Sequence, residues 1–416
     1  MAFLRSLFAG VTGLQNNQVM MDVIGNNIAN VNTIGFKKGR VTFTDMFSQT
    51  LENASQPSAN LGGTNPKQVG LGMAVGSIDM DASQGSFQST GLTSDMAIQG
   101  SGFFIVNQGG KILYTRDGNV ELDPAGKLSN KSTGGVIQGR LANTNGIIPP
   151  GAPLQDIVIK KDLSSPPKAT TEADFAGNLD ANTAVGGTVQ TSQPVYDSLG
   201  ASHSLTITYT KGAGNNWTWA ASVTGGTTAS TGTIAFNADG TLNSITGNPV
   251  TITPTNGSSP MSVTLNCGIP SATVPGNNTG MTQNAGASTA APLSQDGWAS
   301  GTLSNISVNA DGTIVGAFTN NQSLTLGQIM IADFANPNGL SRVGGNEYDV
   351  SGNSGEAVVK AAGTTSTIQT GVLEQSNVDL ADEFTKMITA QRGFQASARV
   401  ITVSDQFLDE VVALKR

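Results

Sequence analysis

Cysteine and histidine are almost missing: the chain has one of each, Cys267 and His203. A single cysteine excludes an internal disulfide framework. One histidine and one cysteine, far apart, leave too few ligands for a His/Cys zinc site. A Ser-His-Asp arrangement could be drawn around His203, but no nucleophile elbow accompanies it, and no G-x-x-x-x-G-K-[ST] phosphate loop occurs. The chain therefore reads as a non-enzyme without a cofactor. His203 is expected to be a surface or half-buried strand residue. Cys267 is expected to be small and semi-buried at the end of the strand-like "MSVTLNC", with a cross-link through it left open.

Charge is also scarce. Charged residues make up 12% of the 416 positions, aromatics 5%, and the net charge is −8. From Thr171 to Ser341 the only basic residue is Lys211. Nucleic-acid binding needs clustered Lys and Arg against the phosphates, so it is excluded. No run approaches the ~18 apolar residues of a membrane span, so membrane insertion is not expected. "MAFLRSLFAGVTGL" superficially looks like a secretion leader. Its apolar positions are periodic, however, and Gln15, Asn16 and Asn17 stand where a cleavage region belongs. Export would need a route without a cleaved leader.

What the chain does have is glycine, 52 residues of it, with abundant Ser, Thr, Asn and Ala. That composition suits a β-rich protein with many turns. The two ends differ from this middle. Leu4, Leu7, Val11, Leu14, Gln18, Met21, Gly25 and Ile28 step by three and four. So do Leu380, Phe384, Met387, Gln391, Phe394, Ala398, Ile401, Asp405, Leu408 and Val412. These are two helical seams, mostly apolar. Asp379 or Asn377 is placed to cap the second helix, Asp382 and Glu383 suit its first turn, and Lys415 and Arg416 suit its last. Neither helix can bury its stripe alone. Pairing the ends supplies part of the partner surface, and the absence of a third long helical pattern favours completion of the core in an assembly.

Between the ends the pattern is that of strands. "GSGFFIVNQGGKILYTRDGNVELDPAGKLSN" (100–130) reads as strand, Gly-Gly turn, strand and a further hairpin. "NADGT" occurs twice, at 237–241 and 309–313, as a hairpin turn lacking the further acids of a calcium loop. "DMDASQGSF" (79–87) fails as an EF-hand for the same reason. The Thr/Gly/Asn-rich stretch from about 146 opens with "GIIPPGAP" and closes near 290 with the linker-like "VPGNNTGMTQNAGASTAAP". It reads as a domain inserted into the one before it. The fold class is α+β: paired, coiled-coil-like N- and C-terminal α-helices with nested, mainly antiparallel β domains. The expected divisions are 1–30 with 375–416 as helical core, 31–88 with 366–374 as connection, 89–145 with 291–365 as inner β domain, and 146–290 as outer β domain.

"NNIANVNTIGFKKGRVTFTDMF" resembles the N-terminal signature of bacterial flagellar rod and hook proteins, through Asn27, Ile28, Ala29, Asn30, Asn32, Thr33, Gly35, Phe36 and Lys37. "LEQSNVDLADEFTKMITAQRGFQASARVI" resembles their C-terminal one, through Ser376, Asn377, Val378, Asp379, Glu383, Met387, Ile388, Gln391 and Arg392. Phe394, Gln395 and Ser397 are small departures from it. Length and the inserted domain place the resemblance with the hook branch of that family; a distal rod or other axial subunit is the alternative.

The resemblance implies a structural subunit that polymerises with itself into a curved, flexible tube carrying torque from rod to filament. It implies contact with a hook cap protein, the distal rod protein, a hook-filament junction protein and the flagellar export apparatus, and an extracellular place in the flagellum. The terminal helices would form the inner core of the tube. Residues 1–30 and 375–416 are then expected to be disordered in an isolated subunit.

Overall fold

The structure, a computed structural model, describes residues 2–57, 62–270, 280–363 and 365–413, with side chains from Arg5 onward. The chain divides into two compact units. The first comprises Met1–Lys160, Ser307–Val315 and Thr325–Arg416, and the second Lys161–Ile306 and Gly316–Leu324.

The first unit holds both helices, α1 (Ala2–Ala29) and α2 (Leu380–Ala413). Asp379 caps α2, its Oδ1 accepting the N–H of Ala381 at 2.8 Å, and Asp382 and Glu383 follow in the first turn. Asn377 is used elsewhere, as described below. Lys415 and Arg416 lie outside the described residues. After α1 the chain runs out and back as a ribbon. Gly39–Asp45 pairs antiparallel with Met73–Met80, and Ser48–Glu52 with Lys67–Gly70. Two strands alone are marginal, and α1 supports them where the Asn16 amide donates to the carbonyl of Met73 at 2.6 Å.

A sheet forms the body of this unit. Phe103–Gln108 and Lys111–Thr115 make a hairpin in the register Gln108↔Lys111. Gly109 and Gly110 turn it with φ of 61° and 94°, which side chains resist. Val136–Leu141 and the end of Ser323–Asp333 extend the sheet on one side, and Glu347–Asp349 on the other. Phe103, Tyr114, Phe334 and Tyr348 pack edge to face over it, Tyr114 and Phe334 with centroids 4.9 Å apart. Two further pairings carry the chain into α2: Ser366–Thr370 with Met96–Gly100, and Val372–Glu374 with Phe87–Ser89.

The second unit is a β-sandwich. One sheet is an antiparallel run of Thr188–Tyr196, Ser202–Lys211, Asn216–Val223, Thr231–Phe236 and Leu242–Ile245. The other is built around Glu172–Asn178, which pairs in parallel with Met261–Asn266 and Met281–Thr282 and antiparallel with Ala291–Gln295. Strict alternation along Ser202–Lys211 sends Leu205, Ile207 and Tyr209 inward. They meet Trp217, Trp219, Phe175, Ile252 and Val263 in one core, each large apolar side chain worth roughly 1.5–3 kcal/mol when fully buried. Both "NADGT" segments close the same turn, the N–H of Asn237 donating to Thr241 O and that of Asn309 to Thr313 O.

Two expectations need correction. His203 is buried, at 5% exposure, because its ring is held between Asp197 Oδ2 and Thr224 O, each 3.0 Å away. Cys267 is fully buried in the sandwich core, where Tyr209 and Phe175 also lie, because the parallel strand pairs draw the end of "MSVTLNC" inward. Part of the linker-like stretch that follows, residues 274–279, lies outside the described residues.

Candidate functional site

Among the described residues no group of His, Cys, Asp and Glu could hold a metal ion, and no helix is long and apolar enough to cross a membrane. The residues that draw together are those of the two ends. At the C-terminus of α1, the Asn30 amide donates to the carbonyl of Asn26 at 2.9 Å, and Thr33 Oγ1 donates to Asn30 Oδ1 at 3.1 Å. The amides thus satisfy carbonyls that the ending helix leaves open. Gly35 then takes φ of 67°, and its N–H donates to Glu374 O at 2.8 Å. A Cβ here would stand 2.7 Å from the backbone of Arg116 and Asp117. Only glycine fits both demands.

Phe36 is buried beneath the Arg342 guanidinium, 5.0 Å from its ring centroid. Lys37, also buried, donates to Glu374 Oε1 and to Ser83 O, each at 2.7 Å. Arg116 reaches the other carboxylate oxygen, Oε2, at 3.2 Å through Nη1, which also donates to the carbonyl of Ile98, and its Nη2 donates to the carbonyl of Gly100. The N–H of Gly85 adds a bond to Glu374 Oε1 at 2.9 Å. One carboxylate therefore serves two buried cations, and backbone carbonyls solvate the excess positive charge. Burial pushes the Lys37 ammonium pKa below its usual value, Arg116 beside it acts the same way, and Glu374 opposes both.

Asn377 continues the clasp. Its Oδ1 accepts the N–H of Lys38 at 2.8 Å, and its amide donates to the carbonyls of Asp81 and Ser83. A turn further in, the buried Asn27 amide donates to Gly39 O at 2.8 Å and to Glu383 Oε2 at 3.0 Å, so α1 is tied to α2. Of the other signature residues, Ser376 is buried, whereas Asn32, Asp379, Gln391 and Arg392 are exposed. Arg116, Glu374, Ser83 and Arg342 belong to this junction without having been singled out in the sequence. In a chain with so few charges, an Arg and a Glu bordering strands were the available signal.

Above the junction, α1 and α2 touch through small and polar residues. A Cβ on Gly10 would stand 3.0 Å from Ile401, and one on Gly13 2.7 Å from Ser397 Oγ. Ser6 and Ser404 face each other with Oγ atoms 3.3 Å apart. On α2 the buried residues are Glu383, Ala390 and Ser404. The seam residues Leu7, Leu14, Met21, Ile28, Met387, Phe394, Ile401 and Leu408 are half-buried; Val11, Leu380, Phe384 and Val412 are exposed. The side chain of Leu4 lies outside the described residues. Large apolar side chains are left in solvent on both helices: Phe8 at 62% on α1, and Ile388, Val403 and Phe407 at 52%, 60% and 50% on α2.

Comparison with known families matches these segments in order. Residues 7–37 match "Flagella basal body rod protein", and 97–167 match "Flagellar hook protein FlgE/F/G D1 domain". Residues 162–298 match "Flagellar basal body protein FlaE D2 domain", and 369–414 match "Flagellar basal body rod FlgEFG protein C-terminal". The flagellar hook protein FlgE of Borreliella burgdorferi is 40% identical, over 99% of this chain and 100% of its own. The chain belongs to the flagellar hook protein family. Within the wider axial group, the flagellar basal-body rod protein FlgG of Bacillus subtilis is 32% identical over the same shares. The crystal structure of Helicobacter pylori flagellar hook protein FlgE2 superposes with a TM-score of 0.50 at 14% identity, over 69% of this chain and 100% of that one. That likeness concerns the fold alone, which the hook family member described here shares.

Proposed function

We propose that this chain is a structural subunit of the bacterial flagellar hook, without enzymatic activity. Copies polymerise into a curved, flexible tube that acts as a universal joint and transmits torque from rod to filament. The observation that carries this reading is the pair of terminal helices, clasped together at one end yet leaving Phe8, Phe384, Ile388 and Val403 in solvent. Each such side chain gains roughly 1.5–3 kcal/mol on full burial, so a polymer that covers them gains a strong core. In that polymer the helices pack as a coiled-coil-like inner layer around the assembly seams, and the β units face outward. The names of the relatives support the assignment. The partners that go with this reading are the hook cap, the distal rod protein, the hook-filament junction protein and the flagellar export apparatus, with delivery to the cell exterior.

A distal rod or other axial subunit is the second reading, favoured by the similarity to the Bacillus subtilis rod protein. Electron microscopy of polymers made by the purified chain separates them. Curved, flexible tubes are expected; straight, rigid ones support the rod reading, and no polymer at all overturns both. Val403→Asp should abolish polymerisation while leaving the fold of the isolated chain intact.

A further inference from the structure

Asparagine is followed directly by glycine three times in the chain, at Asn145-Gly146, Asn256-Gly257 and Asn338-Gly339. Glycine puts no side chain in the way of its own nitrogen, so in such a pair that nitrogen can attack the asparagine carboxamide. The three glycines differ in how the nitrogen is held. The N–H of Gly146 donates to Asn143 O at 2.9 Å, and that of Gly339 to Asn336 O at 3.1 Å. The N–H of Gly257 meets no acceptor among the described residues, and a Cβ there would find open space. Asn256 and Gly257 are both exposed.

We propose that Asn256 is a site of spontaneous covalent modification: in the folded chain it deamidates ahead of Asn145 and Asn338, and the change releases a tie between the two sheets of the sandwich. The Gly257 nitrogen bonds to Asn256 Cγ as its proton passes to water. The Cγ–Nδ2 bond breaks, and Nδ2 takes a proton from water and leaves as ammonia. A water molecule then opens the cyclic imide at one carbonyl or the other, giving aspartate or its β-linked isomer. Asn256 is poised for the first step. Its Oδ1 accepts the N–H of Ser258 at 3.1 Å, which folds the side chain over its own backbone and draws electron density from Cγ. The bond from Nδ2 to Asp197 Oδ2, at 2.6 Å, persists until ammonia departs and does not oppose the attack.

The consequence follows from where Asp197 and Asn256 stand. Asp197 follows the strand Thr188–Tyr196 of the five-stranded sheet, whereas Asn256 lies in the turn between Val250–Pro254 and Met261–Asn266 of the other. Three side chains donate to Asp197 Oδ2: His203 from its own sheet, and Asn256 and Ser258 from across the sandwich. Aspartate at 256 replaces one of those donors with a like charge. The β-linked product adds a methylene to the main chain of a turn pinned on both flanks. Thr255 N–H donates to Gly225 O at 3.0 Å on one side, and Ser258 Oγ to Asp197 Oδ2 at 3.0 Å on the other. Either product loosens the sheets where His203 is buried.

The full chain, aged in mildly alkaline buffer and sampled over time, tests this by peptide mapping with mass spectrometry. Attack requires the glycine N–H to give up any hydrogen bond, and the net strength of one such bond slows the step about fivefold. Asn256 should therefore deamidate about fivefold faster than Asn145 or Asn338 in the same sample; a rate no higher than theirs overturns the site. Urea unfolding followed by tryptophan fluorescence reads the tie. Asn145 and Asn338 belong to the first unit, and all three tryptophans to the second. Chain aged until most copies are modified at Asn256 should unfold at lower urea than fresh chain, as should Asn256→Asp. An unchanged midpoint in the aged chain overturns the tie, whether or not the variant folds. Neither result bears on the hook-subunit reading.

Discussion

The ammonium of Lys37 lies 2.7 Å from the carboxylate of Glu374, and both side chains are essentially without solvent contact. The two residues are 337 positions apart. Their bond closes the chain where α1 hands over to the β body and the body hands back to α2.

Loss of Glu374 should therefore cost more than loss of Lys37. Glu374→Gln leaves Lys37 and Arg116 buried without their shared counter-charge, a change that typically costs about 3–5 kcal/mol. Lys37→Met leaves Arg116 and Glu374 still paired at 3.2 Å and should cost distinctly less. Urea denaturation followed by far-UV circular dichroism measures both. Tryptophan fluorescence supplies the internal control, because Trp217, Trp219 and Trp298 all lie in the second unit. That transition should not move.

Glycines of the N-terminal region should divide by environment. Gly35→Ala forces a side chain into the left-handed region and against the Arg116 backbone, for a loss of about 1–3 kcal/mol. Gly25 lies inside α1 with open space where its Cβ would be. Gly25→Ala should gain about 0.5–1 kcal/mol in the isolated chain. Equal effects in thermal unfolding would refute the geometry described for Gly35.

His203 should make the second unit sensitive to alkali. Both of its ring nitrogens face atoms that only accept, the Asp197 carboxylate and the Thr224 carbonyl, so both must donate and the ring is an imidazolium. Burial opposes that charge, but the bonds to Asp197 and Thr224 outweigh it and raise the pKa above the usual 6.5. With the folded-state value raised, the stabilisation is complete below about pH 6.5 and is lost as pH climbs through the folded value. Asn256 and Ser258 share Asp197 Oδ2 with the ring and do not titrate. Asp197, whose carboxyl is held well below its ordinary range chiefly by the hydrogen bond from His203 against the opposing effect of burial, acts at the other limb, losing its contribution only as pH falls below about 4. Urea midpoints read by tryptophan fluorescence should decline from neutral to alkaline pH, and His203→Gln should flatten the decline.

Cys267 should be inert until the sandwich opens. Burial pushes its thiol pKa up to about 12, and the thiolate is the reactive form. A thiol reagent should leave the folded chain unmodified and label it fully in denaturant. Prompt labelling of the folded chain would place Cys267 nearer the surface than the core described above.

The terminal helices should be only loosely held in the isolated chain. Where they approach each other closely, Gly10 and Gly13 face Ile401 and Ser397, and Ser6 faces Ser404; most of these are small residues with little area to bury. Hydrogen exchange in dilute monomer should be fast through residues 1–26 and 384–413 and slow in the polymer. Strong protection of both ends in the monomer contradicts this.

The legible parts of the sequence were those with local signals. The three- and four-residue steps marked two helices, Gly109-Gly110 marked a hairpin, and Asp379 was one of two positions placed to cap α2. Periodicity says that a face wants cover, however, and not what will cover it. Gly10, Gly13 and Ser404 carry no hydropathy signal, although they are where α1 and α2 meet. The clasp was legible on one side only. Phe36 and Lys37 stood out, but Arg116 and Glu374 reach them through strand pairings that no local pattern encodes. The full burial of His203 escapes its local pattern, which reads as surface or half-buried, for the same reason: Asp197 and Thr224 come to its two sides from a turn and from the end of a neighbouring strand.

Gly35, Lys37 and Glu374 also give the clasp a sense of time. The ribosome completes Lys37 long before Glu374, 337 positions later, so the N-terminal signature cannot close this buried bond until almost all of the chain has been made. A subunit cut short anywhere in its β units would carry an intact first helix and a bare, unneutralised Lys37. The handover segment can lock only in a chain that reaches Glu374 and Asn377.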